Sequence, residues 1–420
     1  MNLASQIADK VAGKLPTSTP SQPQYDESRK QHAIIWRGKR NVEYVEKPMP
    51  MISDPRDILL KISATTVCGS DLHLYNNTML DMHDGDILGH EFMGTIEQIG
   101  DQVKNLHIGQ RVVAAFNIAC GFCDYCKREE YSVCDTTNPS KLQENLYGQK
   151  TAALFGYSHL TGGVPGGQAE YVRVPFADMN CLPIPDDVPD NKALYLSDII
   201  PTAYHGCYIG NVKKDSTVAI WGLGPIGLLE ARWCQIIGAK RIIGIDSVPE
   251  RLEIASKTLG IEIINFKEVD TTKKLLEMVP GGVDCSLEAA GFDYAKSLLH
   301  KVERFLNLET DAGDILTEMI TCTRKAGTIS IIGVYNNTVN HFPIGPMMEK
   351  HLQIVGGQSY TQKHWKMCLE KIRSGEFDPT FVVSHNLTLN QVPDYYKQFD
   401  DKEGGALKCF VRPENFTEKK

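Results

Sequence analysis

The run Thr217-Val218-Ala219-Ile220-Trp221, then Gly222-Leu223-Gly224-Pro225-Ile226-Gly227, then the helical stretch Leu228 to Ile237, admits few folds. An apolar strand that enters a Gly-x-Gly-x-x-Gly turn and leaves as a helix is the fingerprint of a dinucleotide-binding βαβ unit. Its glycines permit the tight turn, the close approach of a pyrophosphate and the packing of helix on strand. The helix N-terminus offers its free N–H groups to the phosphates. Asp246, 19 residues past Gly227 at the end of the apolar stretch Arg241 to Ile245, is placed to hydrogen-bond a ribose diol. An acid there repels a 2′-phosphate and favours NAD over NADP, although Arg251 keeps NADP open. Further strands are expected at Val283 to Glu288, Thr328 to Ile332 and Leu352 to Val355. Alternation with helical stretches makes this an α/β, Rossmann-type doubly wound parallel sheet.

At 420 residues the chain exceeds what one hydrophobic core organises, so a second domain is required. From His32 the pattern is one of short β-rich pieces: Ala33 to Trp36, Val42 to Val45, Ile58 to Thr66, Gly94 to Ile99, Arg111 to Ala114 and Ala169 to Val174. Turn residues punctuate them, which reads as a mostly β domain of barrel or sandwich type. Residues 3–14 have helical spacing and are followed by a Pro- and Ser-rich tether. The expected division is 1–30 N-terminal helix and linker, 31–199 catalytic domain, 200–357 dinucleotide domain, and 358–420 a return to the catalytic domain. Gly162-Gly163-Val164-Pro165-Gly166-Gly167 reads as a mobile or tightly turning loop at a substrate entrance.

No apolar run approaches the roughly 20 residues of a membrane-spanning helix. A net charge of -8 without a dense Lys/Arg cluster makes nucleic acid a poor partner. The N-terminus lacks the basic start and long apolar core of a signal peptide, so a cytoplasmic setting is expected. In that setting the clustered cysteines among the 12 read as metal ligands more readily than as disulfides. Cys120, Cys123, Cys126 and Cys134 are spaced to close a four-thiolate structural zinc site, with disulfides and an iron–sulfur cluster as competing readings.

Cys68-Gly69-Ser70-Asp71-Leu72-His73 sets a thiol, a hydroxyl and an imidazole within six residues, the parts of a metal site with a proton path. His90, in Leu88-Gly89-His90-Glu91-Phe92, is a second ligand candidate. Asp198 is an acid inside an otherwise apolar segment, where it either finds a metal or a cation or caps a helix.

Taken in order, the Cys-Gly-Ser-Asp motif at Cys68, Gly-His-Glu at 89–91, the four-cysteine lobe and Gly222 to Gly227 resemble the zinc-dependent medium-chain alcohol dehydrogenases over about residues 32–412. Gly162 to Tyr171, Leu196 to Gly206 and the added helices near 293–324 look most like the glutathione-independent formaldehyde dehydrogenase branch. The resemblance implies a GroES-like catalytic domain with a structural-zinc lobe. It also implies two zinc ions per chain, with Cys68, His90 and Asp198 binding the catalytic one and Glu91 beside it. Asp198 stands where the family more often has a Cys, which makes the site harder. Ser70 and His73 would carry the proton, and NAD would take a hydride from a small alcohol or an aldehyde hydrate. A polyol or amino-alcohol dehydrogenase and a non-catalytic NAD-binding protein are the alternatives, and a homo-oligomer, dimer or tetramer, is expected. Ligands 22 and 130 residues beyond Cys68 are expected to need both domains to assemble.

Overall fold

The computed structural model describes residues 23–291, 311, 313–335 and 338–414. The expected N-terminal helix over 3–14, and the first of the two helices expected over 293–324, lie outside the described residues. The second of that pair is a helix at Asp314–Cys322. The chain forms two compact units, one ending at Pro201 and resumed from Tyr360, the other Thr202–Ser359.

The first unit is built on a seven-stranded sheet. Its order is His385–Thr388, Cys409–Arg412, Ile58–Thr65, Phe92–Ile99, Arg111–Ala114 and Cys181–Pro183, with Tyr171–Val174 also paired to Ile58–Thr65. All pairings are antiparallel except that of His385–Thr388 with Cys409–Arg412. Period-2 alternation sets the faces. Ile58, Leu60 and Ile62 join Phe92, Ile96, Val112, Val172 and Val174 in one buried core, while Lys61 points to solvent. Cys120, Cys126 and Cys134 belong to the same cluster, so the cysteine lobe is rooted in the sheet's core. A long hairpin, Gln24–Gly38 with Asn41–Met51, extends the strands expected at 33–36 and 42–45.

The second unit is a six-stranded, wholly parallel sheet in the order Glu262–Asn265, Arg241–Asp246, Thr217–Trp221, Val283–Glu288, Thr323–Ile331 and Gln353–Gly356. In chain order this reads 3-2-1-4-5-6, the doubly wound arrangement with its switch point beside the first strand. Ala219, Trp221, Ile243, Ile245 and Ile329 pack against Leu275 and against Ile315, Met319 and Ile320 of the helix Asp314–Cys322. Glu262–Asn265 escapes a periodicity reading because it is a four-residue strand at the sheet's edge with its first two side chains exposed.

Candidate active site and metal centres

Cys68 follows the strand Ile58–Thr65 and precedes a one-turn helix, Asp71–Tyr75. Asp71 folds back over this turn. Its Oδ2 accepts the Cys68 N–H at 2.9 Å and Gln168 Nε2 at 3.3 Å, and its Oδ1 lies 3.0 Å from His90 Nδ1. His90 and Glu91 immediately precede the strand Phe92–Ile99, and Thr65 Oγ1 donates to the Glu91 carbonyl at 2.9 Å. Asp198 lies between the short turn Leu194–Ser197 and the helix Ile199–Ile209; Phe116 N–H donates to Ser197 O at 3.0 Å and fixes that turn.

One donor atom from each of Cys68, His90, Glu91 and Asp198 falls within a sphere of separations no larger than 4.8 Å, and all four residues are buried. His90 Nε2 is 3.4 Å from Asp198 Oδ2, 4.0 Å from Glu91 Oε1 and 3.2 Å from Ser70 Oγ. Burial opposes a charge on His90, but Asp71, Asp198 and Cys68 outweigh it and hold the imidazole pKa well above the ordinary value. Burial raises the Glu91 pKa even though Lys408 lies against its carboxylate. Glu91 Oε2 is buried without a hydrogen bond, which a cation among these donors would answer. A thiol, an imidazole and carboxylates at these spacings fit a zinc ion. The rings of Tyr157 and Phe116 stand edge-on to His90 at 6.0 and 6.3 Å, and Tyr157 Oη donates to Ser70 O at 3.2 Å. His73 is half-buried on the same helix as Asp71.

One expectation changes here and one alternative is decided. All four donors lie in the first unit, so the constellation needs no residue of the second. Strand Ile58–Thr65 and its neighbours bring distant sequence positions together within one sheet. Of the two readings of the loop 162–167, the tightly turning one holds, with φ of +104° at Gly162 and +59° at Gly163. Gly166 N and Gly167 N donate to Ile87 O and Gly89 O at 3.0 and 2.7 Å, and a Cβ on Gly166 would lie 2.3 Å from Leu88 O. Its glycines allow backbone to lie on backbone directly behind His90.

In the second unit, Gly222 has a φ of +92°, and a Cβ on Gly227 would lie 1.9 Å from Gly222 O. Gly224 caps the helix Pro225–Ile237, with Pro225 and Ile226 in its first turn. Asp246 accepts the N–H groups of Leu223, Ser247 and Val248 at 2.7, 2.6 and 2.9 Å, and Arg251 Nη1 approaches it at 3.6 Å. The acid thereby shapes the turn as well as bordering it.

The sulfurs of Cys120, Cys123, Cys126 and Cys134 also converge within 4.8 Å of one another. Cys120 to Cys126 is 3.8 Å and Cys123 to Cys134 is 3.9 Å, far beyond the ~2.05 Å of a disulfide. The N–H groups of Phe122 and Cys123 donate to Cys120 Sγ at 3.4 and 3.3 Å, and that of Cys126 to Cys123 Sγ at 3.5 Å. Within this network, hydrogen bonds from Cys126 and Cys134 push the Cys120 pKa down while those of Cys126 and Cys134 go up, so the thiols share one another's protons.

Sequence reasoning assigned no role to Asp71 or Lys408. Lys408 is fully buried within Leu407-Lys408-Cys409-Phe410-Val411. Burial works against its charge, and Cys68, Glu91 and Asp198 more than restore it. A lone cation inside an apolar run was the available signal.

A dinucleotide-type sheet in one unit, with a buried thiol–imidazole–carboxylate cluster and a four-thiol cluster in the other, defines a metal-dependent dehydrogenase. Comparison with known proteins specifies the class. Residues 54–186 match the alcohol dehydrogenase GroES-like domain and residues 225–308 the zinc-binding dehydrogenase model. A zinc-type alcohol dehydrogenase-like protein of Schizosaccharomyces pombe is 48% identical over 97% of this chain and 98% of its own length. The glutathione-independent formaldehyde dehydrogenase of Pseudomonas aeruginosa is 31% identical over 90% of this chain and 96% of its own. The solved alcohol dehydrogenase of Thermus sp. ATN1 superposes with a TM-score of 0.77 at 31% identity, over 91% of this chain and all of that one. The chain belongs to the zinc-dependent medium-chain alcohol dehydrogenase family, whose members use zinc and a nicotinamide cofactor. Among the described residues no helix is long and apolar enough to cross a membrane.

Proposed function

We propose that this chain oxidises a small alcohol or an aldehyde hydrate of the formaldehyde type, with NAD as hydride acceptor. The observation that carries the reading is the convergence of Cys68, His90, Glu91 and Asp198 in a buried site with Ser70 Oγ at 3.2 Å from His90 Nε2. Cys68, His90 and Asp198 would hold a catalytic zinc with Glu91 beside it, and Cys120, Cys123, Cys126 and Cys134 a structural one. When bound, catalytic zinc supplies Lewis-acid polarisation of the substrate oxygen. The chain's residues do the rest. Asp71 orients His90 and fixes the Cys68 backbone, Phe116 and Tyr157 keep water from the imidazole, Ser70 Oγ accepts the substrate's proton, and His73 passes it outward.

Gly222, Gly224, Pro225, Ile226 and Gly227 would bind the pyrophosphate, and Asp246 the ribose, with Arg251 at its side. Residues 31–199 and 358–420 then form the catalytic region, and 200–357 the NAD-binding one. The similarity to a formaldehyde dehydrogenase supports the substrate class. A cytoplasmic setting belongs to the same reading. Self-association as a dimer or tetramer belongs to the same reading, and light scattering on the eluted chain tests it.

The test of activity is NADH production with a panel of small alcohols, polyols and formaldehyde, with and without glutathione. Turnover of formaldehyde without glutathione supports the reading. Turnover confined to polyols would move the substrate class, and none with any member of the panel would reject the catalytic assignment.

A further inference from the structure

A second group of imidazoles and carboxylates stands apart from the Cys68 cluster, on the segment 81–86 and at His159. One donor atom each from His83, Asp86 and His159 lies within 4.8 Å of the others. The two imidazole rings are stacked, with centroids 3.8 Å apart and planes 25° from parallel. Asp86 braces both: its Oδ1 is 3.0 Å from His159 Nε2, and its Oδ2 accepts the His83 N–H at 2.8 Å. Asp81, whose side chain is 3% exposed, accepts from His83 Nε2 at 3.1 Å. That carboxylate–imidazole pairing is how a ligating histidine is oriented.

Two carboxylates and two imidazoles meet in a partly buried pocket, the mix of oxygen and nitrogen donors that a divalent transition ion takes. His83, Asp86 and His159 are each half-buried, so an ion has a path from solvent. Mixed imidazole and carboxylate donors select a borderline transition ion, zinc, nickel or cobalt, over magnesium or calcium.

We propose that His83, Asp86 and His159, with Asp81 as the orienting carboxylate, form a further divalent transition-metal site. It is separate from the two clusters already described and shares no residue with them. Asp86 lies four residues before His90, and His159 two after Tyr157. A bound ion therefore ties together two loops that flank the Cys68 cluster.

The test compares metal content by plasma mass spectrometry. The full-length protein and the double variant H83A/H159A are equilibrated with micromolar Zn²⁺, and separately Ni²⁺, then desalted. Wild type is expected to keep one more ion per chain than the variant. Asp81→Asn is expected to keep that ion with affinity about 10–100-fold weaker. Added Zn²⁺ should also raise the wild-type melting temperature more than the variant's. If the double variant lacks a cooperative melt, His83→Gln takes its place. Equal metal content in wild type and a cooperatively melting variant overturns the proposal, as does binding that appears only at millimolar metal.

Discussion

The ammonium of Lys408 lies directly on the carboxylate of Glu91, 317 residues away in sequence, and neither side chain reaches solvent. The pair couples the strand Cys409–Arg412 to the strand Phe92–Ile99 at the edge of the donor cluster. Lys408→Met strands a buried carboxylate, and the expected loss is about 3–5 kcal/mol, read by denaturant unfolding. The double variant K408M/E91L should recover much of it, because both charges are then gone. A single variant as stable as wild type would show that Glu91 is held neutral.

Asp71 touches both Cys68 and His90, so it acts through them. Asp71→Asn is expected to weaken metal binding at the Cys68 cluster or lower activity by about 10–100-fold, leaving the four-cysteine cluster loaded. Cys68→Ser should remove the catalytic ion and turnover altogether while the four-cysteine ion stays. Full metal content with normal turnover in Cys68→Ser would sink the assignment of that ligand.

The parallel sheet was legible where a strand is a short apolar run between turn residues, as Thr217–Trp221 is, or alternates apolar and polar residues, as Val283–Glu288 does. Thr217–Trp221 and Val283–Glu288 fall where the pattern places them. The donors were legible because Cys68, His90 and the four cysteines are residue types whose chemistry is scarce and whose spacing is specific. Asp71 and Lys408 were not. Their meaning comes from partners that only the folded sheet supplies, and an Asp in a turn or a Lys near the C-terminus has many ordinary explanations. The glycines of 162–167 left two readings open. Small residues signal either mobility or close packing, and only the Ile87–Gly89 backbone lying against them decides which.

The cysteine lobe has three of its thiols in the sheet's core cluster, so its metal should stabilise more than a surface loop. Cys134→Ala is expected to lose one zinc per chain and roughly 2 kcal/mol or more of stability. Limited proteolysis should then cut first within 120–134. A Cys134→Ala protein with unchanged zinc content would reject four-thiolate coordination.

Asp284 joins two strands of the parallel sheet, accepting the Thr217 N–H at 2.8 Å and Arg324 Nε at 2.6 Å. Burial pushes its pKa up, but these partners outweigh burial and leave it below the ordinary carboxylate value. A lowered folded pKa gives stability that is complete above the unfolded value of about 3.9 and is lost as pH falls through the folded one. Asp284→Asn should therefore cost roughly 1 kcal/mol at neutral pH, after allowance for its partial exposure. The gap from wild type should close in unfolding curves measured below about pH 4. A gap that persists unchanged in acid would mean the loss is steric.

Asp246 and Arg251 face each other at 3.6 Å at the end of the strand Arg241–Asp246. In the proposed cofactor site a 2′-phosphate would meet the negative charge of Asp246, with Arg251 held beside it. Asp246→Asn removes the charge and frees Arg251 to pair with phosphate, while its one amide oxygen can serve either the Leu223 N–H or those of Ser247 and Val248, which Asp246 accepts on different oxygens. The ratio of kcat/KM for NADP to that for NAD is expected to rise about tenfold or more, equivalent to roughly 1.4 kcal/mol of changed preference. Most of the gain should disappear in D246N/R251A, since the new phosphate contact is then absent. If the single variant leaves the ratio unchanged, Asp246 serves only the turn, and cofactor choice is set elsewhere in the second unit.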